Sequence, residues 1–288
     1  MKIFHLNTEC NGRDKPGDKT HIGLLADICG VINKSRFDLI GLQEVAGNIM
    51  FFDNVNDFSR KLDGFKYYQK HLKNYRGEMF KLFEVKERSN CYWGVCAFYN
   101  FKKYTLLGVE RVYTHQYNKT KPIDFKNPTR TPMGFISLLL KDNKTEEKFY
   151  FITGHLTWGP ISWDDSSLQR KRAKKFVNYV QQLKNPVIAS FDTNVEWFTP
   201  TVTQFEKIGL LNVAKIFNIS NTINPKMSKH FMRIFKTDKV TRKKGGVACD
   251  NIFLTADKYR INSVVINKQD LSDHFGLVLD ADIMLKSI

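Results

Sequence analysis

PVIASFDTN, residues 186–194, places an aspartate and an asparagine directly after a short apolar run. The run has the length and the β-branched content of a buried strand. Asp192 and Asn194 are two residues apart, so their side chains lie on the same side of an extended chain. Ligand sites of α/β sheets are assembled where strands end. The stretch therefore predicts a buried strand that ends in a polar site.

The same arrangement recurs at other apolar runs along the chain. Six further polar residues at the ends of such runs are of types that bind metals or transfer protons: Asn7, Glu44, His155, Asp250, Asp273 and His274. A single carboxylate at a strand end is usually a turn or cap residue. A set of this size, restricted to these residue types, indicates one common site.

The composition bounds the class of protein. Hydrophobic residues make up 42% of the 288 residues and aromatic residues 13%, which is ample for a packed core and argues against disorder. The formal net charge of +16 favours polyanionic partners, nucleic acid first and anionic lipid second; a solvated basic surface is the alternative. No P-loop, GxSxG, HExxH or Rossmann glycine pattern is present, so these enzyme classes are disfavoured.

The cysteines and the N-terminus bear on the compartment. The five cysteines are scattered and form no CxxC pair, which indicates reduced thiols in a cytosol-like compartment. MKIFHLNTE begins with a strand-like run that no apolar leader precedes. No stretch approaches the roughly 20 apolar residues that span a bilayer. We expect a cytoplasmic protein without a transmembrane segment.

The periodicity of apolar residues predicts more strands than helices. The predicted strands cover residues 2–7, 38–43, 66–71, 92–99, 104–112, 134–141, 148–155, 187–191, 250–255, 261–266 and 276–283. The predicted helices cover residues 19–34, 53–63, 166–183 and 200–208, and long loops are expected at 114–132 and in the basic stretch, residues 221–246. No strict alternation of strand and helix holds, so the pattern favours mixed sheets with helices outside.

The ordered set N…LQEV…GHL…DTN…D-x-IFL…SDHFGLVL resembles the endonuclease/exonuclease/phosphatase superfamily, from residue 1 to about residue 283. The resemblance implies an α/β fold: a four-layer α/β sandwich in which two face-to-face mixed β-sheets are flanked by helices. It also implies a single catalytic domain over residues 1–288. The activity that it implies is hydrolysis of phosphodiesters by metal-assisted in-line attack of water.

The resemblance assigns a metal site to three residues. Glu44 matches the family's metal-binding glutamate, Asn7 the asparagine near the metal, and Asp273 a further acidic residue at the site. Mg²⁺ prefers hard oxygen ligands and takes only one or two carboxylates. We therefore expect Mg²⁺ as the cofactor, with Mn²⁺ as a possible substitute.

The resemblance also assigns the catalytic residues. Asp192 matches the residue that orients or deprotonates the attacking water, and Asn194 the one that helps to hold the water and the phosphate. His274 is expected to donate to a phosphate oxygen or to transfer a proton, and Asp250 to fix the tautomer of His274. His155 matches a second histidine that polarises the phosphate.

Two positions depart from the family pattern. Phe191 stands where the family usually has a glycine before the aspartate of its D-x-N motif. The acid that supports the first histidine in deoxyribonuclease I has no clear match within residues 92–98. The first departure concerns the local geometry rather than the residue types.

Four residues are predicted to contact the substrate. Lys243 and Lys244 end the most basic part of the chain, which could neutralise phosphates, although a solvated loop is the alternative. Trp158 follows His155 and could stack on a base, although a packing role is equally consistent with its position. Arg130 precedes a predicted strand and could reach a phosphate.

The sequence thus predicts a Mg²⁺-dependent phosphodiesterase that acts on nucleic acid, with DNA slightly preferred over RNA. A sphingomyelinase- or inositide-type phosphoesterase is the alternative with the same chemistry, and the inositide motif is absent. A catalytically inactive binding protein of the same fold is the alternative of another class. Inactive members tend to lose the acids, whereas this chain keeps Glu44, Asp192, Asp250, Asp273, His155 and His274. Endo- or exonuclease action and protein partners stay open.

Overall fold

The structure is a computed structural model that describes residues 1–8, 23–47, 63–84, 92–116, 131–157, 165–224 and 247–284. Its strands are β1 (Lys2–Asn7), β2 (Leu39–Ala46), β3 (Tyr75–Glu84), β4 (Tyr92–Asn100), β5 (Tyr104–His115), β6 (Met133–Asp142), β7 (Lys148–His155), β8 (Val187–Asp192), β9 (Leu210–Asn212), β10 (Asp250–Thr255), β11 (Tyr259–Asn267) and β12 (Gly276–Ile283). Its helices are α1 (Gly23–Ser35), α2 (Gly64–His71), α3 (Ser167–Gln181), α4 (Pro200–Glu206) and α5 (Val213–Ile216).

The strands form two six-stranded mixed sheets. The first has the order β11-β12-β1-β2-β4-β3 and the second the order β5-β6-β7-β8-β10-β9. Each sheet contains one parallel pair among its described strands, β1 with β2 and β7 with β8. Parallel neighbours need a crossover connection, and α1 and α3 lie in these two connections. The carboxyl ends of each parallel pair therefore meet at one edge of their sheet.

The two sheets pack face to face, and helices cover their outer sides. Residues such as Val95, Ile136 and Leu279 are fully buried between the sheets. On the outer side of the first sheet, strand residues pack with α1 and α2. On the outer side of the second, they pack with α3 and α4. The predicted four-layer α/β sandwich is confirmed.

The amphipathic spacing of α3 explains how a helix covers the second sheet. Phe176, Val177 and Val180 are buried on one side of α3, at the spacing of three and four residues that forms an apolar stripe. Ser166 caps the helix, because its side chain accepts a hydrogen bond from the backbone N–H of Gln169. None of the described helices is long and apolar enough to cross a membrane.

The prediction of a strand at residues 66–71 was wrong, because α2 covers them. Its aromatic residues have high strand propensity, but Asp63 accepts a hydrogen bond from the Lys66 N–H and so caps a helix. Tyr68, one helical turn after Gly64, is fully buried against the first sheet. Tertiary packing and the cap outweigh the propensity.

Three elements were not predicted: the edge strand β3, the short strand β9 and the single helical turn α5. β3 has little periodicity to detect, because charged and apolar residues are mixed along it. Some predicted segments lie largely outside the described residues, namely the helix at 53–63, the loop at 114–132 and the basic stretch at 221–246.

Candidate active site

Four of the predicted site residues lie at the ends of the two parallel strand pairs. Asn7 ends β1 and Glu44 is near the end of β2; His155 ends β7 and Asp192 ends β8. Asn7 Nδ2 donates to Asp192 Oδ2 across the two sheets at 2.7 Å and lies 3.2 Å from Glu44 Oε1. The strand ends of both sheets therefore meet in one polar cluster.

A β-bulge places Glu44 in this cluster. The pairing of β2 with β4 shifts between Leu42 and Val45, so that two residues of β2 stand opposite one residue of β4. Glu44 has a φ of 54°, in the left-handed region that non-glycine residues seldom adopt. Such backbone strain clusters at functional sites. Here it accompanies a carboxylate whose Oε1 lies 3.3 Å from His155 Nε2.

His155 lies between two carboxylates. Its Nε2 is 3.3 Å from Glu44 Oε1 and 3.3 Å from Asp192 Oδ2, and its side chain is buried. Burial by itself would lower the pKa of His155, but the hydrogen bonds and charges of Asp192 and Glu44 raise the pKa to about 9. The ring is therefore an imidazolium at neutral pH in the metal-free protein.

The charge of Glu44 is stabilised by the same contact. Burial would raise the pKa of Glu44, whereas the hydrogen bond and charge of His155, with the Asn7 amide, lower the pKa to about 2. Glu44 is thus ionised at neutral pH. Its side chain is 21% exposed, so this carboxylate is accessible from solvent.

Asn194 completes this side of the site. Its backbone N–H donates to Asp192 Oδ1 at 2.8 Å, and its φ of 52° turns the chain directly after β8. Its Nδ2 donates to the Leu156 carbonyl at 2.7 Å and lies 3.2 Å from His155 Nε2. Both oxygens of Asp192 are therefore held by hydrogen bonds, from Asn7 and from Asn194.

A second group is built around Asp250, which pairs with Asp192 across β10 and β8. Asp250 Oδ2 lies 2.7 Å from His274 Nδ1. An ionised carboxylate only accepts hydrogen bonds, so Nδ1 carries a proton. His274 Nε2 then faces the site, 4.0 Å from Asp192 Oδ2 and 3.8 Å from Asp273 Oδ1.

The electrostatics of this group favour a charged pair. Burial alone would lower the pKa of His274, but the charges of Asp250 and Asp273 raise the pKa well above its usual value. Burial alone would raise the pKa of Asp250, but His274 and then His5 lower the pKa below its usual range. A buried carboxylate is costly unless it is paired and hydrogen-bonded. Here the Asp250 carboxylate is paired and hydrogen-bonded by His274 Nδ1 and His5 Nε2.

The described residues at the two ends of the basic stretch are hydrogen-bonded close to His274. The Asn224 N–H donates to the Asp273 carbonyl at 2.6 Å, and the Thr222 N–H donates to the Val247 carbonyl at 2.8 Å. Residues 222–224 and Val247 therefore both lie next to the second group.

Sequence reasoning missed three residues of this site: His5, Ser190 and Cys249. His5 Nε2 lies 2.8 Å from Asp250 Oδ1, and His5 Nδ1 lies 2.7 Å from Ser190 Oγ. The sequence did carry a signal for His5, because it stands two residues before Asn7 on β1 and so faces the same side. The Cys249 Sγ lies 3.6 Å from Asp250 Oδ2.

The donor set fits a hard divalent cation. Among the described residues, two sets of three side chains place their ligand atoms within 4.8 Å of one another: Glu44, His155 and Asp192; and Asp192, Cys249 and His274. Carboxylate and amide oxygens are the ligands of Mg²⁺ and Mn²⁺. The second set combines a carboxylate, a thiol and an imidazole, and burial raises the pKa of the Cys249 thiol well above its usual value. Neither set includes Asp273.

The predicted substrate-contacting residues Arg130, Trp158, Lys243 and Lys244 lie outside the described residues. Their predicted contacts stay predictions. All eight residues predicted for catalysis or metal binding are described, and hydrogen bonds or close charge contacts connect them into one site.

Comparison with known proteins identifies the fold. No protein-family model and no curated protein matches the chain. Among solved structures, an endonuclease/exonuclease/phosphatase from Bacteroides vulgatus has a TM-score of 0.69 at 17% identity, with 98% of each chain covered. The human Nocturnin catalytic domain with bound sulfate has a TM-score of 0.66 at 16% identity, covering 99% of this chain and 93% of that one.

The D. rerio TDP2 complexed with single strand DNA product has a TM-score of 0.63 at 14% identity, with 98% of each chain covered. These similarities extend over nearly the whole chain. The chain therefore has the fold of the endonuclease/exonuclease/phosphatase superfamily.

Proposed function

We propose that the chain is a Mg²⁺-dependent phosphodiesterase that hydrolyses nucleic acid, with a single catalytic domain over residues 1–288. The observation that carries this proposal is the cluster at the joined strand ends. There, oxygens of the Glu44 and Asp192 carboxylates both lie 3.3 Å from His155 Nε2, and the Asp250–His274 pair adjoins them through Asp192. Phosphoryl chemistry needs these parts: a cation site, a group that positions water and donors for the phosphate oxygens.

We assign the Mg²⁺ to Glu44 and Asn7, with Asp273 as a further acidic residue, and Mn²⁺ as a possible substitute. When bound, the cation supplies positive charge that stabilises the charge developing on the phosphate. The Glu44 carboxylate supports this assignment, because hard cations favour carboxylate oxygens, and the Asn7 amide N–H donates to the Glu44 and Asp192 carboxylates beside it. Ionised Glu44, which remains partly exposed, is suited to receive the cation.

Asp192 is proposed to position and deprotonate the attacking water. Asn7 and the backbone of Asn194 hold its two oxygens, so the carboxylate has a fixed orientation. A catalytic group that is already oriented loses little freedom when the substrate binds. Hydrogen bonds to the phosphate are assigned to Asn194 and His155, whose amide Nδ2 and ring Nε2 lie 3.2 Å apart beside Asp192 and which both carry N–H donors.

His274 is proposed to donate a hydrogen bond or a proton at its Nε2. Asp250 fixes the tautomer, because it accepts from Nδ1 and leaves Nε2 facing the site. The charges of Asp250 and Asp273 raise the pKa of His274 well above its usual value, which favours the protonated ring. A protonated imidazole can stabilise negative charge on the leaving oxygen or on the phosphate.

A nucleic acid substrate is supported by charge and by placement. The net charge is +16, and both described flanks of the basic stretch are hydrogen-bonded beside His274. One structure of the same fold is bound to single strand DNA product. We propose DNA ahead of RNA. We also propose a cytoplasmic location, which agrees with three buried cysteines that form no disulfide in the described part of the chain.

A phosphomonoesterase is the second candidate. Another structure of this fold, at 14% identity and a TM-score of 0.67, is a mannosyl-6-phosphatase from Bacteroides thetaiotaomicron. The same residues could serve a terminal phosphate, because the chemistry at phosphorus is shared. A lipid phosphodiesterase and an inactive binding protein remain outcomes of the test.

A substrate panel tests the proposal. Single-stranded DNA, supercoiled plasmid, RNA, 5′-phosphotyrosyl DNA, sphingomyelin and a sugar phosphate are each incubated with Mg²⁺ and with EDTA. We expect hydrolysis of the nucleic acids that EDTA abolishes and that Asp192→Asn removes. Exposed Asp257 lies in a surface turn, so Asp257→Asn is the matched control. Preference for the sugar phosphate or for sphingomyelin would redirect the assignment, and hydrolysis of no substrate would support a binding protein.

A further inference from the structure

His5 makes a contact that the proposed reaction does not yet use. The residue is completely buried in β1 of the first sheet, whereas Asp250 and Ser190 belong to β10 and β8 of the second. His5 Nε2 lies 2.8 Å from Asp250 Oδ1, and His5 Nδ1 lies 2.7 Å from Ser190 Oγ. Both ring nitrogens therefore bind across the interface between the sheets.

The two oxygens of Asp250 are held by two different rings. Oδ1 contacts His5 Nε2, and Oδ2 contacts His274 Nδ1 at 2.7 Å. The last torsion of an aspartate is broad and only weakly restricted on its own. A carboxylate held at one oxygen can therefore turn and carry its partner with it. A second donor at the other oxygen fixes the plane of the carboxylate, and with it the direction in which Oδ2 receives His274.

We propose that His5 is a positioning residue, which fixes the Asp250 carboxylate and through it the orientation of the His274 ring. This inference rests on the proposed function and deepens it. An ionised carboxylate only accepts, so Nε2 of His5 carries the proton of this contact. The two nitrogens of the His5 ring contact Asp250 and Ser190, so His5 acts on the site through Asp250.

The surroundings of His5 restrict where its ring can go. Ser190 Oγ occupies the space beside Gly41, where a Cβ would lie 2.4 Å from that oxygen and 2.8 Å from Thr153 Oγ1. Thr153 Oγ1 in turn accepts from Gln43 Nε2 at 2.6 Å. The absence of a side chain at residue 41 thus leaves room for the hydroxyl that holds the His5 ring.

Two substitutions separate the contact with Asp250 from the contact with Ser190. The amide of glutamine extends to the position of a histidine Nε2, so His5→Gln can still donate to Asp250. The amide of asparagine ends at the position of Nδ1, so His5→Asn keeps only the contact with Ser190. Glutamine also fills more of the space of the buried ring than asparagine does, so the stability of both variants is measured alongside kcat to separate lost packing from the lost contact. His71→Asn, at an exposed histidine of α2, is the matched control.

Steady-state kinetics on the best substrate of the panel give the first readout. We expect His5→Asn to lower kcat by about 10–100-fold, the usual cost of losing a residue that orients a functional ligand. KM should change little, because His274 acts in the transition state. His5→Gln should keep most of the kcat. Equal losses in the two variants, or a larger loss in His5→Gln, would overturn the inference.

Imidazole NMR gives a second readout that needs no activity. The Nδ1 proton of His274, assigned by its loss in His274→Gln, should appear at low field in the wild-type protein and in His5→Gln. In His5→Asn it should shift or broaden, because Asp250 is no longer fixed. If no phosphoester is hydrolysed, the proposed function fails and this spectrum still decides the role of His5. An unchanged His274 signal in His5→Asn would overturn the inference.

Discussion

In the metal-free protein, His155→Gln should cost much more stability in mild acid than in alkali. His155 Nε2 lies 3.3 Å from carboxylate oxygens of both Glu44 and Asp192. Burial lowers its pKa and these carboxylates raise it, to about 9 in the folded protein against an ordinary value of 6.5. Because the folded pKa is the higher one, the stabilisation is fully present below pH 6.5 and is lost as the pH rises through 9.

The magnitude follows from the difference between the two pKa values. Each pKa unit corresponds to about 1.4 kcal/mol, so protonation of His155 should contribute about 3 kcal/mol to the free energy of unfolding on the acid side. The histidine is 2% exposed, so solvent screens the interaction little. The same interaction also lowers the pKa of Glu44, so the two shifts describe one contribution and are not added.

Urea unfolding in EDTA measures this effect. Wild-type protein and His155→Gln are compared at about pH 6, 7.5 and 9.5, and the difference in unfolding free energy should shrink by about 3 kcal/mol over that range. His71→Gln should show no such trend. Mg²⁺ should weaken the pH dependence, because the cation competes for the same carboxylates. If the difference in unfolding free energy between wild type and His155→Gln stays constant with pH, His155 is not charged between Glu44 and Asp192 and the reasoning is refuted.

Three further predictions concern the reaction and its substrate. Glu44→Gln should lower kcat by at least ~10²-fold, because that is the scale of losing a main electrostatic contribution in the transition state. Single-turnover assays in Mg²⁺ measure the loss, and an unchanged rate would contradict the metal assignment. When Asp250→Ala and His274→Ala are combined, the loss in log kcat should be much smaller than the sum of the two single losses, since the two side chains act as a unit. Additive losses would show that Asp250 does not act through His274. Neutralising Lys243 and Lys244 together should flatten the slope of log K for nucleic acid binding against log salt concentration by roughly 1–2. Hydrolysis of the small diester bis-p-nitrophenyl phosphate should stay nearly unchanged. An unchanged slope would indicate that the loop is only a solvated surface.

The structure explains why Phe191 is compatible with the site although the family usually has a glycine there. Side chains alternate along a strand, so Phe191 faces the helices while Asp192 faces the cluster. The Phe191 ring packs on Phe176, with centroids 4.7 Å apart. It also fills the space beside its strand partner Gly154, where a Cβ would lie 2.2 Å from the ring. Gly154 therefore leaves room for the Phe191 ring on the side of the strand opposite to Asp192.

The supporting contact of His155 could not be predicted in the same way. Residues 92–98 contain no acid, and in the structure the His155 Nδ1 lies 3.1 Å from the Met133 sulfur, while the rings of Trp93 and His155 are nearly perpendicular with centroids 5.4 Å apart. Neither residue type is an expected partner of a catalytic histidine. The carboxylates that hold this ring contact Nε2 instead, and they come from β2 and β8.

The sequence by itself determined the strands that end in polar residues and the chemical types of those residues. Apolar runs such as 2–7 and 187–191 are strong local signals, because burial on both faces requires continuous hydrophobic sequence. It failed at residues 66–71, where the Asp63 cap and the burial of Tyr68 outweigh local strand propensity. It also failed at β3, where an edge strand carries a mixed pattern.

Only the tertiary structure decided which of these residues meet. Asn7 and Asp192 are 185 residues apart in the chain, and His5 and Asp250 are 245 apart. No local pattern encodes such distances; they arise because the apolar faces of two sheets pack together and bring their edges into line. The bulge at Glu44 and the room beside Gly41 depend on the same packing. The residue types are therefore a property of the sequence, and the site is a property of the packed sheets.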